Sequence, residues 1–173
     1  AILAYEKAMS KNENADYNFQ IAEIYGEKGN FKKMFESYVD LIDKKEQSLS
    51  LVQRYASKYI TDDPENEANI TFKKTLLVKS SNRPKAVWNS LLSWLFTTQK
   101  EYGKAFVQEK ALYRRNPNSL GAIFSLGKTA FENNNYTSAK KCFDFITLTS
   151  NLNEEKINAY LYIAKIAVAT NST

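Results

Sequence analysis

Apolar residues recur at intervals of three and four along most of the chain, with polar residues between them. Two neighbouring runs show the pattern: Phe19, Ala22, Tyr25 and Gly26, then Phe31, Met34, Phe35, Tyr38, Leu41 and Ile42. This is the period of an amphipathic α-helix. No segment of strand length alternates strictly, and only five glycines and three prolines serve as turn residues. The pattern predicts an all-α fold.

The three prolines lie where the helical pattern breaks. Pro84 and Pro117 stand in short polar stretches, and Pro64 follows Asp62 and Asp63. An aspartate followed by proline is typical of a helix start, because the carboxylate accepts from free N–H groups and proline lacks one. We therefore expect Asp63 to cap a helix that begins at Pro64.

The helices themselves repeat. Tyr25–Phe31 and Phe131–Tyr136 both read as an aromatic residue, a polar linker with asparagine and a second aromatic residue. Aligning Phe31 with Tyr102 and Tyr136 gives repeat starts spaced by 34, 37 and 34 residues. The predicted units are 15–48, 49–85, 86–119 and 120–153. Residues 1–14 match the second helix of a preceding unit, and 154–173 match the first helix of a following one.

A 34-residue period of paired helices resembles the tetratricopeptide repeat. The signature pair of a large and a small residue in the first helix is matched by Ile21-Ala22, Tyr55-Ala56, Leu92-Ser93 and Leu126-Gly127. The small residue of the second helix is matched by Ala68, Ala105 and Ala139, and the aromatic four residues later by Tyr38, Phe72 and Phe143. Met34, Glu109 and Ala130 depart from the pattern. The resemblance implies a right-handed superhelical solenoid of antiparallel helix pairs, with about ten helices in one array over 1–173, cut from a longer protein.

In that family the first helices line a concave groove that holds a peptide or helix of a partner protein. Carrying the groove positions over gives a mixed surface of Phe19, Glu23, Gln53, Ser57, Ser90, Trp94, Phe124, Lys128 and Phe131. The alternative for the aromatic members is packing against neighbouring helices, and for Phe19, Phe124 and Phe131 both interpretations stay open. Trp94 is expected in the groove, and Trp88 in the core or packed against a loop. The Lys/Asn set that clamps a peptide carboxylate in chaperone-binding relatives is missing, since Phe19 and Glu23 occupy its slots.

Composition argues against catalysis. The 173 residues include one cysteine and no histidine, so the commonest general base and metal ligand are absent. Cys142 therefore has no histidine to activate it, and the acidic clusters Asp62–Glu67 and Glu154-Glu155 stand at predicted helix starts, where negative charge is favoured. We expect no enzyme activity, no cofactor and no metal site. No uninterrupted apolar run is long enough for a transmembrane helix.

Two alternatives to a protein-binding scaffold remain. The net charge of +5 permits RNA binding, as in the related pentatricopeptide repeats, although the basic doublets are interrupted by acidic residues; nucleic acid is not the expected partner. Self-association is the other alternative. The abundance of Asn, Lys, Tyr and Phe is similar to that of tetratricopeptide proteins of flavobacteria and their relatives, many of which are exported. The compartment stays unassigned, with a preference for the bacterial periplasm or cell envelope.

Overall fold

The computed structural model describes residues 1–12, 14–117 and 120–171. Within these ranges the chain forms ten α-helices and a short 3₁₀ helix, Glu46–Ser48, and it has no strand. The helices are α1 (Ile2–Lys11), α2 (Asn18–Glu27), α3 (Phe31–Lys44), α4 (Leu49–Ala56), α5 (Glu67–Asn82), α6 (Ala86–Thr98), α7 (Tyr102–Arg115), α8 (Gly121–Glu132), α9 (Tyr136–Thr149) and α10 (Asn153–Asn171). The prediction of an all-α fold is confirmed.

The chain divides into two compact units, residues 1–91 and residues 92–173. In the first unit α3 packs against both α2 and α5. In the second unit α9 packs against both α8 and α10. Each unit is therefore built around a helix covered by its neighbours. Across the described ranges, no helix combines the length and hydropathy that crossing a bilayer requires.

Small residues lie at the centres of these helix pairs. Ala22, Ala56 and Ala68 are almost completely buried in the first unit, as are Ala105 and Ala139 in the second. Small side chains let helices approach closely, and larger apolar groups fill the space beside them. The large buried groups include the signature aromatics Tyr38, Phe72 and Phe143. Trp88 is also fully buried, and its indole Nε1 donates to the carbonyl of Arg83 at 2.8 Å, so its predicted core position is confirmed.

Three of the connections between helices share one hydrogen-bonded turn. The turns after α2, α6 and α8 each place one residue at positive φ: Gly29 at 68°, Lys100 at 58° and Asn134 at 59°. In each turn the following N–H donates to a carbonyl five residues earlier, as in Asn135 to Ala130 at 2.8 Å. This is the Schellman ending of a helix, which satisfies carbonyls that would otherwise be unpaired.

The connection between α4 and α5 differs from those three turns. The helix begins at Glu67 with Asn66 as its N-cap, so the prediction of a start at Pro64 capped by Asp63 is wrong. Asp63 instead accepts from the N–H of Glu65 at 2.9 Å. Asn69 is fully buried and donates its side-chain amide to the carbonyls of Thr61 at 2.9 Å and Asp63 at 2.5 Å. The segment before α5 is therefore held by a side chain from inside the helix.

Candidate functional site

In the first unit, two of the predicted groove residues meet around Tyr38. The Phe19 ring lies edge-on to Tyr55, with centroids 4.8 Å apart, and is tilted against Tyr38 at 6.1 Å. The Tyr38 hydroxyl donates to Glu23 Oε1, and Lys58 Nζ lies 3.5 Å from Glu23 Oε2. Burial, reinforced by Glu23, raises the pKa of Tyr38 well above its usual range, so the phenol remains a donor at neutral pH.

The other two predicted residues of this unit make less specific contacts. Gln53 is half-buried, and Ser57 is exposed with its hydroxyl donating to the carbonyl of Arg54 at 2.7 Å. The contacts from α4 and its C-terminal end to Phe19 and Glu23 come instead from Tyr55 and Lys58. Neither was predicted as a groove residue. The sequence gives no clear signal for them, because residues one or two positions from Gln53 or Ser57 do not share their helical face.

In the second unit, Phe124 and Phe131 belong to a four-ring cluster that we call the aromatic cluster. Its other members are Phe143 of α9 and Tyr162 of α10. Tyr162 contacts all three phenylalanines, with centroid distances of 5.5 Å to Phe124, 5.6 Å to Phe131 and 4.8 Å to Phe143. Lys165 Nζ lies 4.6 Å from the centroid of the Tyr162 ring. Phe19, Phe124 and Phe131 thus all pack against other rings, yet each remains partly exposed.

The remaining predicted residues lie on α6 and α8. Ser90 and Trp94 are half-buried, and the Ser90 hydroxyl is 3.5 Å from the carbonyl of Ala86. Lys128 is exposed on α8, with its Nζ 4.0 Å from Glu132 Oε1. The Lys128 ammonium is therefore accessible from solvent and only weakly paired.

A cavity of about 200 Å³ adjoins the aromatic cluster. It is mainly apolar, and its lining residues come from α8 with its N-cap, α9 and α10: Leu120, Gly121, Phe124, Ile146, Glu155 and Asn158. Glu155 Oε2 accepts from the Ser150 hydroxyl at 2.5 Å, which fixes the carboxylate at the polar side of the cavity. A cavity of this kind can receive one large apolar side chain beside a polar group.

The largest described cavity, about 690 Å³, lies elsewhere, between α3 and α5 of the first unit. Its walls carry both signs of charge, with Lys32 and Lys74 beside Glu36 and Asp40. None of the predicted groove residues contributes to it. Because the basic residues alternate with acidic ones, this cavity does not form a uniformly positive surface of the sort that nucleic acids favour.

Burial leaves the candidate nucleophile Cys142 unreactive. Cys142 is fully buried, and burial, with a smaller contribution from Glu109, raises the pKa of its thiol to about 12. The thiol is therefore protonated at neutral pH and is a poor nucleophile. Among the described residues, no group of three or more His, Cys, Asp or Glu side chains could hold a metal ion.

The chain was compared with protein-family models, curated proteins and solved structures. No protein-family model and no curated protein matches the sequence, and no solved structure matches the fold. The resemblance to tetratricopeptide repeats consequently rests on the pattern of residues in the sequence.

Proposed function

We propose that the chain is a tetratricopeptide-type solenoid that binds a segment of another protein and performs no catalysis. The proposed binding surface comprises Phe19, Glu23, Gln53, Ser57, Ser90, Trp94, Phe124, Lys128 and Phe131. The observation that carries the proposal is the aromatic cluster, in which Phe124, Phe131 and Tyr162 are partly exposed, with an apolar cavity beside it. Aromatic anchors beside a pocket are typical of the centres of protein–protein interfaces.

The repeat assignment has independent support within each unit. The small signature residues are buried where helices meet, and large signature aromatics lie beside them. The positive-φ residues Lys100 and Asn134 lie 34 residues apart in turns with the same hydrogen bonds. A repeated turn at the repeat period supports a repeating helix pair, which in turn supports a solenoid.

The cavity narrows the class of partner. One large aliphatic or aromatic side chain fills such a space, and the flanking Glu155 carboxylate favours a donor such as lysine next to it. The exposed ammonium of Lys128 favours an acidic residue further along the partner. The proposed ligand is therefore a short amphipathic segment with one apolar anchor.

A displayed library of random peptides, selected on the immobilised chain, tests this proposal. We expect enrichment of peptides with an apolar anchor and about tenfold weaker binding to Asn158→Trp, because the indole of this exposed residue would block the cavity. Lys141→Trp is the matched control, since Lys141 is exposed on α9 and does not line the cavity. Both variants should melt within a few degrees of the wild type.

Two results would count against the proposal. Selected peptides could lack an apolar anchor, or they could bind both tryptophan variants as well as they bind the wild type. A single-stranded RNA of mixed sequence should be run beside the peptides. Tight RNA binding that falls steeply with salt concentration would favour the RNA-binding alternative instead.

A further inference from the structure

Helix α10 carries a second apolar face opposite the one it buries. Ala159 and Ile166 point into the second unit and are 0% and 5% exposed. On the other side of the helix, four large side chains are more than half exposed: Ile157 at 66%, Tyr160 at 58%, Leu161 at 52% and Val168 at 69%. A surface helix of a globular protein normally presents polar residues there. The exposed apolar face of α10 is therefore a candidate interface.

The spacing of this face is that of a helix–helix seam. Ile157, Leu161, Ala164 and Val168 follow one another at intervals of four, three and four residues. These are the a and d positions of a two-stranded coiled coil. All four are accessible in the isolated chain, including the small Ala164. The seam extends over three turns of the helix, which is long enough to align a second helix along it.

We propose that this face pairs with the same face of a second copy of the chain, with the two α10 helices antiparallel about a two-fold axis. The arrangement is self-complementary, as a two-fold contact must be. Leu161 lies opposite the partner's Ala164, so a large side chain meets a small one, and Ile157 lies opposite the partner's Val168. Tyr160 and Lys165 lie on opposite flanks of this seam.

The antiparallel direction is preferred over the parallel one. In a parallel pair Ala164 would face the partner's Ala164 and leave a gap in the seam, because neither side chain could fill it. Antiparallel helices also bring opposite ends of their dipoles together. The nearest exposed charges on this side, Glu154 and Lys165, are not placed opposite copies of themselves.

The size of the face is sufficient for a dimer. Its four large side chains together expose on the order of 500 Å², the size of the largest apolar patch on a typical monomer, which is often functional. Complete burial of two such faces would cover roughly 1,000 Å², the size of a weak or transient interface. The dimer should accordingly dissociate on dilution.

The mass in solution, followed by light scattering over a dilution series, tests the pairing. The mass should rise from 19.8 kDa towards twice that value as the concentration reaches about 200 µM. Leu161→Glu should remain monomeric over the whole range. Leu148→Glu is the control, because Leu148 is 86% exposed on α9, outside the face, and this variant should still dimerise. A monomeric wild type, or a dimer unaffected by Leu161→Glu, would overturn the proposal.

Cross-linking tests the direction of pairing. In the double variant Ile157→Cys/Val168→Cys, oxidation should produce a covalent dimer, whereas either single variant should not. The two positions are roughly 16 Å apart along one helix, too far for a bond within a single chain. Cys142 is fully buried and does not compete. Efficient cross-linking of Ala164→Cys alone would overturn the antiparallel arrangement.

Discussion

Gly127 occupies a position in α8 where a side chain has no room. A Cβ at this residue would lie 2.9 Å from Cys142 Cβ and 3.0 Å from Phe143 Cζ. Because Cys142 Cβ is fixed to the backbone of α9, the two helices would have to move apart. The small residue that the repeat pattern places here is therefore a requirement of close helix packing.

We expect Gly127→Ala to be less stable than Gly103→Ala by about 1–3 kcal/mol, the usual cost of overpacking. Gly103 is the matched control, because its added Cβ would have only Ser138 Oγ nearby, at an ordinary 3.7 Å. Gly127 is in the middle of α8 and Gly103 in the first turn of α7, so alanine gains more helix propensity at Gly127 and the difference in stability is a lower bound on the cost of the clash. Chemical denaturation of the two variants measures it, and equal stabilities would show that α8 and α9 can separate freely.

At the scale of the element, the shared turns vary in how well their residues suit them. Glycine adopts positive φ without cost, asparagine tolerates it, and lysine does so only with strain. Gly29, Asn134 and Lys100 occupy the equivalent position in three turns. The turn that ends α6 is consequently the strained one.

Replacing that lysine should relieve the strain. We expect Lys100→Gly to raise the free energy of unfolding by about 1 kcal/mol, and Asn134→Gly to raise it by less. Asn134 also accepts from the Tyr136 hydroxyl at 2.8 Å, a contact that glycine would remove. Thermal melts of the two variants rank the effects. A larger gain at Asn134 would mean that backbone strain does not control the stability of these turns.

The helices and their close contacts could be predicted from the sequence, because the apolar period and the small residues are local signals. The start of α5 could not. Asp63 and Asn66 both suit an N-cap, and the choice between them depends on Asn69, whose amide holds the preceding loop through contacts that appear only in the folded chain. A cap motif alone does not report such competition.

The candidate site was predictable to a similar extent. The register of the helical pattern selects Phe124 and Phe131 as residues of one face, but it does not say which rings they meet. Those partners depend on how α8, α9 and α10 rotate and cross, and Tyr162 enters the cluster for that reason. The cavity lined by Phe124 and Glu155 follows from the same packing.

At the scale of the whole molecule, a cluster of ion pairs around one buried carboxylate joins elements of the first unit. Asp43 of α3 is 7% exposed in its side chain and lies within 3.0 Å of three cations, Lys79, Arg83 and Lys85. Hydrogen bonding to Lys85, followed by Lys79, outweighs burial and lowers the pKa of Asp43 from 3.8 to about 2. These ion pairs join α3 to α5 and to the segment that follows α5.

The lowered pKa of Asp43 makes the free energy of unfolding of residues 1–91 decrease at low pH. A carboxylate with a lowered pKa stabilises the fold above its ordinary value, and the contribution disappears as the pH falls from about 4 to about 2. We expect Asp43→Asn to lower the free energy of unfolding by about 1–2 kcal/mol at neutral pH. Between pH 4 and pH 2 the variant should lose less stability than the wild type does. Asp144→Asn, which breaks an exposed pair with Lys140, is the control and should change little. Melting curves from pH 7 to pH 2 would contradict this if the two variants behaved alike.

The single cysteine lies within the contact between α8 and α9, and its thiol is both inaccessible and protonated. A thiol reagent can therefore label the chain only when that contact opens. The labelling rate at low reagent concentration reports the equilibrium of opening, and the rate at high concentration reports how often it opens. Cys142 is therefore a native reporter of local opening in the second unit, and no cysteine has to be introduced to measure it.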